Sequence, residues 1–125
     1  MRNVLVDIFV LFVGGGIGTV VRYLMGLISY NTHFPCSTLI VNIISSLIFG
    51  FFYAHCVQKM DVPVVLQLML LTGFCGGLST MSSFTFESWS LYEKGMYFLL
   101  ALNIFLNYTL PICAVMAGVY LGRQI

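Results

Sequence analysis

The sequence predicts an all-α membrane protein with four transmembrane helices, arranged as a single domain over residues 1–125. Hydrophobic residues make up 60% of the chain, charged residues make up 7%, and the mean hydropathy is +1.02. A soluble domain carries roughly a quarter charged residues, so this chain lacks the polar side chains needed to cover a water-facing surface. Its length provides about four apolar spans of roughly 20 residues each, with short loops between them.

The four predicted spans are joined by short polar connections. The first ends at a polar turn over residues 29–33, a short loop at 58–61 follows the second, and residues 93–95 turn the chain into the fourth. Pro63 suits the first turn of the third span, because its ring fixes a helical φ where no N–H donor is needed. We expect the spans at about 4–28, 35–57, 64–89 and 96–121.

The basic residues give only a small orientation bias. Four spans place both termini on one side with Arg2, Lys59 and Arg123, whereas Lys94 lies on the other side and Arg22 lies within the first span. Because cytoplasmic loops carry the excess of Lys and Arg, this distribution favours cytoplasmic termini weakly and is compatible with insertion in both orientations. The chain shows no internal repeat, so a two-fold pathway would need a second subunit.

A run rich in glycine and hydroxyl residues interrupts the third apolar segment. It extends from Gly73 to Glu87 and reads GFCGGLSTMSSFTFE. Hydrocarbon cannot hydrogen-bond an exposed backbone, so a helix that breaks at membrane depth must be buried in protein or line a wet cavity. Carbonyls freed at such a break bind cations, and neighbouring hydroxyls donate to anions. The run therefore predicts a broken third helix and a protein that handles an ion.

The first span contains a cluster of glycines at 14–18 followed by Arg22. Small residues four apart let helices pack closely, which also suits a narrow pore. Arg22 has two interpretations: its side chain extends to the headgroups, or it lies in an aqueous mouth where it attracts anions or caps carbonyls of a neighbouring helix. Glu87 is likewise either an interfacial anchor or a gate at a pore entrance.

Spans two and four carry uncharged polar side chains on one helix face. The stripe in span two consists of Thr38, Asn42, Ser45 and Ser46. Asn42 either holds helices together or donates its amide to an anion, and the helical spacing fits both. In span four, Asn103 and Asn107 are four residues apart, which indicates a partner that needs donors, either another helix or a hydrated track. Pro111 predicts a kink there.

Other functional classes find little support in the sequence. A net charge of +1 provides no basic surface for nucleic acid. The four cysteines are scattered without CxxC spacing or a companion histidine cluster, so we interpret them as small buried apolar residues within spans. The sequence offers no nucleophile–base pair and no metal-ligand cluster, and we expect no enzyme.

Together these motifs resemble the Fluc (CrcB) family of small fluoride channels. That family carries GGxxGxxxRY in its first span, a Thr-Leu-x-Val-Asn run in its second and GxCGGxTTFSTFSxE in its third. The corresponding residues here are 15–23, 38–42 and 73–87, in order and in register. Span four matches only in hydropathy and length.

The resemblance implies an antiparallel, dual-topology dimer with two fluoride pores and a structural sodium ion at the two-fold axis. We expect a homodimer, with a heterodimer as the alternative. Backbone carbonyls at the third-span break would hold the sodium, and by motif position they belong to Gly76 and Ser79. Since carbonyl oxygens suit a hard cation, Ser79 in place of the family Thr is a mild departure.

The resemblance also implies a fluoride path past the Asn42 amide and the edges of two phenylalanines, since aromatic rings carry a positive edge. The second family phenylalanine is Phe84. The first is replaced by Met81, whose thioether fills the volume but makes a poorer electrostatic contact with an anion. The other implied pathway residues are Thr38, Ser82, Ser83, Asn103 and Asn107, with Arg22 and Glu87 at the pore mouth.

The leading prediction is a passive channel of the bacterial inner membrane that exports fluoride and lowers its cytoplasmic concentration. One alternative is a degenerate partner subunit of a heterodimeric channel, because a homodimer would have one ring and one methionine (Met81) in each pore. A second is a small multidrug transporter, which also has four spans. That activity needs a titratable carboxylate at mid-depth, whereas Asp7 and Glu87 lie toward span ends.

Overall fold

The computed structural model describes residues 2–28 and 32–125, and the regular structure in these two stretches is helical. The α-helices are α1 Val4–Ile28, α2 Cys36–Phe52, α3 Val64–Gln67, α4 Gly76–Leu78, α5 Met81–Glu93 and α6 Tyr97–Gln124. Two π-helical segments join them: Tyr53–Lys59 continues α2, and Leu68–Cys75 connects α3 to α4. Hydrogen bonds five residues apart make such segments wider than an α-helix.

Four helical stretches are long and apolar enough to cross a membrane, which confirms the four-span prediction. Spans one to four are Val4–Ile28, Cys36–Lys59, Val64–Glu93 and Tyr97–Gln124. The third and fourth continue three or four residues beyond their predicted ends at 89 and 121, because their last turns carry polar residues that lower the local hydropathy. The predicted polar turn at 29–33 lies largely outside the described residues, which omit 29–31.

A first glycine seam joins span one to the first half of span three. A Cβ atom at Gly14 would collide with the carbonyl oxygen of Met69, and one at Gly18 would collide with that of Phe74. On the opposite side of the contact, a Cβ atom at Gly77 would collide with the backbone of α1. The glycine cluster of span one therefore serves close packing, as its spacing predicts.

A second glycine seam joins α2 to the last half of α6. A Cβ atom at Gly118 would collide with the carbonyl oxygen of Leu47, and one at Gly50 would collide with that of Val115. Gly122, one turn further along α6, lies against the end of α2 in the same way. The two seams pair span one with span three and span two with span four.

The fourth span is a continuous helix from Tyr97 to Gln124, although it contains Pro111, where the sequence predicts a kink. Proline has no N–H group and cannot complete the hydrogen bond to the carbonyl four residues earlier. In α6 that carbonyl belongs to Asn107, so the helical turn around Asn107 has one backbone hydrogen bond fewer than its neighbours.

Candidate functional site

The third span breaks between α4 and α5, at the two extended residues Ser79 and Thr80. Ser79 has φ −75° and ψ 155°, and Thr80 has φ −150° and ψ 118°. Thr80 is the N-cap of α5, because its Oγ1 accepts a hydrogen bond of 3.2 Å from the backbone N–H of Ser83. The break thus lies inside the predicted glycine and hydroxyl run, at its hydroxyl end.

Asn42 on α2 holds the break through both ends of its amide. The backbone N–H of Thr80 donates to Asn42 Oδ1 at 2.8 Å, and Asn42 Nδ2 donates to the carbonyl oxygen of Thr80 at 3.4 Å. A single side chain therefore replaces the helical partners that Thr80 loses on leaving the helix. Of the two roles that the sequence left open for Asn42, helix attachment is present in the structure.

The same contacts release two backbone carbonyls. In an unbroken helix the N–H of Thr80 would donate to Gly76 and the N–H of Ser83 would donate to Ser79, four residues earlier. Here the first donates to Asn42 and the second to the Thr80 hydroxyl. The carbonyls of Gly76 and Ser79 are those to which the family resemblance of the third-span motif assigns a sodium ion.

The surroundings of these carbonyls fit a hard cation. Gly76 is exposed, and a Cβ atom there would meet no atom of the described residues within 4 Å, so its face is open to a second molecule. No cluster of three or more His, Cys, Asp or Glu side chains occurs in residues 2–28 and 32–125. The oxygen atoms at the break are its backbone carbonyls and the hydroxyls of Ser79 and Thr80, and a hard cation prefers such oxygen ligands.

Two other carbonyls close to the break accept hydrogen bonds from side chains of other spans. Arg22 Nε donates to the Gly77 carbonyl oxygen at 3.0 Å, and Ser45 Oγ donates to that of Cys75 at 2.7 Å. Of the two interpretations of Arg22, the structure thus supports a cap on a neighbouring helix. Ser45 belongs to the predicted polar stripe of α2, and it is buried.

A cavity of about 370 Å³ lies on one side of Thr80 and contains both residues predicted at the pore mouth. Arg22 and Glu87 line it together with Thr38 and Ser83. Thr38 Oγ1 donates to Glu87 Oε1 at 2.6 Å, whereas Glu87 Oε2 is buried with no hydrogen-bond partner in the described part of the chain. A guanidinium group and a carboxyl group therefore line the same cavity beside the break.

A second cavity, of about 210 Å³, also borders Thr80. Asn42, Met81, Phe84, Asn107 and Tyr108 are among the residues that line it. Phe84 is buried, and its ring meets the Tyr108 ring at 82° with centroids 5.9 Å apart, so the two are edge to face. The Met81 side chain points outward and is 61% exposed.

A chain of side-chain amides runs from the break to the carbonyl of Phe84. Asn42 Nδ2 donates to Asn107 Oδ1 at 3.1 Å, and Asn107 Nδ2 donates to Asn103 Oδ1 at 2.9 Å. Asn103 Nδ2 then donates to Ser88 Oγ at 3.0 Å, and the Ser88 hydroxyl donates to the Phe84 carbonyl at 2.8 Å. We call this series the amide chain.

The structure gathers most of the sequence-predicted residues around Thr80. Met81 and Ser82 are both exposed on α5, and the Ser82 Oγ lies 3.4 Å from Thr80 Oγ1. Sequence reasoning did not assign site roles to Thr80, Ser88 and Tyr108. Both Thr80 and Ser88 could have been found from local sequence: Thr80 is a residue type preferred at a helix N-cap, and Ser88 lies on the same helix face as Phe84, four residues later.

The fold and the site define a four-span membrane protein whose third helix is broken beside two cavities, each lined in part by polar side chains. A family model described as CrcB-like protein, Camphor Resistance (CrcB), matches residues 9–119. A protein of Pyrococcus furiosus named fluoride-specific ion channel FluC is 40% identical over 119 residues, covering 94% of this chain and 97% of the relative.

Relatives of the same name occur in Bacteroides fragilis, 40% identical with 94% of this chain and 97% of the relative covered, and in Thermococcus kodakarensis, 42% identical with 89% and 91% covered. The chain belongs to the CrcB family of fluoride channels, and the resemblance drawn from its motifs is confirmed. This membership decides against the small multidrug transporter.

Proposed function

We propose that this chain is a subunit of a passive, fluoride-selective channel. Its relatives carry the name fluoride-specific ion channel. The observation that carries the proposal is the meeting of uncharged donors at one cavity: the Asn42 amide and the Phe84 ring line the same space at the broken helix. Arg22 and Glu87 line the other, larger cavity, which also borders Thr80.

Neutral donors suit the passage of a strongly hydrated anion. An amide N–H and the positive edge of an aromatic ring replace part of the water shell of fluoride without a full positive charge that would retain the ion. The hydroxyls of Ser82 and Ser83 extend the set of donors along α5, whereas the Thr38 hydroxyl donates to Glu87 Oε1. Weak, successive contacts of this kind allow both entry and exit, which conduction requires.

A second, antiparallel subunit is part of the proposal. The residues of α5 exposed on a single chain include the hydroxyl residues Ser82 and Thr85 as well as Met81, Phe86 and Trp89. A polar face at membrane depth needs protein or water against it. A second copy inserted upside down would cover this face, and the small charge bias of the loops permits both orientations.

The open face at Gly76 supports a structural sodium ion between the two copies. The carbonyls of Gly76 and Ser79 would hold it, with Asn42 and the Thr80 cap keeping those carbonyls free. A bound sodium ion would supply positive charge opposite the carbonyl oxygens of Gly76 and Ser79. The residues of this chain contribute the turn geometry, so the identity of the side chain at 79 matters little.

The methionine at position 81 bears on whether the second subunit is an identical chain or a different one. Its exposure at the break means that the side chain would lie at the face where the second subunit approaches. In a homodimer each pore would then pair a phenylalanine with a methionine. In a heterodimer, with this chain as a degenerate partner, one pore would keep two rings. We expect the homodimer, in a plasma membrane, and relatives in archaea as well as bacteria leave the kind of cell open.

Efflux from proteoliposomes that contain only this polypeptide tests the proposal. A fluoride electrode should record rapid fluoride loss, while a chloride electrode on matched vesicles should record retention. Protein-free vesicles provide the background. Equal fluoride and chloride rates would refute selectivity, and a well-folded dimer with no flux would identify the chain as a degenerate partner.

A further inference from the structure

The direction of every hydrogen bond in the amide chain is fixed from one end. A backbone N–H can only donate, so the Thr80 N–H determines that Asn42 presents its oxygen to the break. Asn42 must then present Nδ2 to Asn107, which accepts through Oδ1 and turns its own Nδ2 toward Asn103. The amide orientations are therefore set by chemistry and are not interchangeable.

The amide hydrogens of Asn42 and Asn107 are already engaged. Asn42 Nδ2 donates to Asn107 Oδ1 and to the Thr80 carbonyl, at 3.1 and 3.4 Å. Asn107 Nδ2 donates to the carbonyl and to Oδ1 of Asn103, at 3.0 and 2.9 Å. An NH₂ group has two hydrogens, so an anion that enters this cavity must displace one of these acceptors to reach the Asn42 amide.

We propose that Asn107 is a latch for the Asn42 amide, so that its side-chain oxygen sets how readily Asn42 donates to a passing anion. This inference rests on the proposed function and assigns a regulating residue to its pathway. Asn107 acts through Asn42 and is a positioning residue. The latch lowers conduction, because the N–H that would contact the anion is held by a competing acceptor of the same subunit.

The surroundings of Asn107 allow the latch to open. Asn107 is partly exposed, and it lines the same cavity as Asn42. Pro111 also lines that cavity and leaves the backbone carbonyl of Asn107 without its helical N–H partner. Asn103, by contrast, is fully buried and fixed by Ser88. Of the two asparagines on α6, the one that borders the cavity is therefore the one that contacts Asn42.

Replacing Asn107 tests the latch by the sign of the change in flux. Asn107→Leu retains the volume and removes the acceptor, and Asn107→Ala removes both. A neutral hydrogen bond corresponds to about a two- to tenfold change in an equilibrium, so fluoride efflux should rise by about that factor in both variants. Thermal stability should fall in both variants, because Asn103 Oδ1 loses its donor. If Asn107 had only a structural role, that loss of stability would lower the flux and not raise it.

Thr109→Ala is the matched control, because it removes a polar side chain from the same helix but lines neither cavity. It should leave efflux unchanged. The latch would be overturned if both Asn107 variants keep a folded size-exclusion peak and their fluoride rate is unchanged or reduced. Conduction by the wild type would still support the proposed channel in that case.

Hydrogen exchange of the Asn42 side-chain amide tests the latch independently of conduction. In ¹⁵N-asparagine-labelled protein, the Asn42 Nδ2 hydrogens should exchange slowly in the wild type and faster in Asn107→Leu, and the signal is assigned by its loss in Asn42→Ala. Equal exchange rates would contradict the latch. If the wild type fails to conduct, the proposed function fails, and the exchange result still decides for or against the latch.

Discussion

Helices α2 and α6 pack against each other along two halves that differ in chemistry. In the glycine half, Gly50 and Gly118 bring the two backbones into direct contact. In the amide half, Asn42 of α2 bonds to Asn107 of α6, which in turn bonds to Asn103. One helix pair thus combines a seam in which backbone packs directly on backbone and a set of side-chain hydrogen bonds that borders a cavity.

The difference between the halves indicates which contacts stabilise the helix pair and which contacts are available to a passing ion. Close backbone packing gains dispersion energy and has no alternative arrangement, so the glycine half stabilises the pair. Hydrogen bonds of the amide half can be exchanged for bonds to an ion at small net cost. We therefore expect changes in the glycine half to affect assembly and changes in the amide half to affect conduction.

The largest effect is expected from Gly118→Val. The added side chain would collide with the Leu47 carbonyl and with the Phe51 N–H, and neither is the end of a flexible side chain. Overpacking typically costs about 1–3 kcal/mol, and a backbone obstacle places this variant at or beyond about 3 kcal/mol. The folded fraction after heating in detergent, measured by size exclusion, should fall sharply.

Gly16→Ala is the control for that loss, since a Cβ atom at Gly16 meets no described atom within 4 Å. It should keep or slightly raise stability, because alanine favours a helix interior over glycine. Equal stability of the wild type and Gly118→Val would contradict the assignment of the second glycine seam to folding.

A smaller effect on folding and a large effect on conduction are expected from Asn42→Leu. The variant leaves the Thr80 N–H without its acceptor and removes the donor that faces the cavity. Leaving the buried Thr80 N–H without a partner costs about 1–3 kcal/mol of stability. Loss of an anion contact of the same size would lower fluoride efflux by about five- to 150-fold. Ile44→Ala on the exposed side of α2 is the control. Retained efflux in Asn42→Leu would remove Asn42 from the pathway.

The sequence predicted the spans well because hydropathy alone defines them. The break was predicted within the glycine and hydroxyl run, and it lies at Ser79 and Thr80. The π-helical segment at Leu68–Cys75 was not predicted, because its wide turns carry no signal in residue type. Asp7 was expected only near a span end, yet its side chain is buried and bonded to Arg2.

Site residues were easier to predict than their partners. Helical spacing identified Asn42, Asn103 and Asn107 as inward-facing polar residues, which the structure places in one chain of bonds. Spacing within a helix says nothing about which residue of another helix it will meet. For the same reason, the bond between Arg22 and the Gly77 carbonyl, which are 55 positions apart, required the fold.

The smallest effect is expected from Met81→Phe, which adds an aromatic edge to the cavity that Asn42 and Asn107 line. An aromatic contact is worth about 0.5–1.5 kcal/mol, so fluoride efflux should rise by about two- to tenfold, and we expect the lower part of that range. Met116→Phe makes the same exchange at a 66% exposed position of α6 and should change nothing. An identical response of the two variants would mean that position 81 does not face the anion.

The most direct test of the account is the reversal potential of this polypeptide alone in a planar bilayer, with fluoride on one side and chloride on the other. We predict a reversal potential far from zero, on the side that corresponds to fluoride permeation, and its loss in Asn42→Leu. A reversal potential near zero, or one that indicates preference for chloride, would contradict a fluoride pathway built from the Asn42 amide and the Phe84 ring.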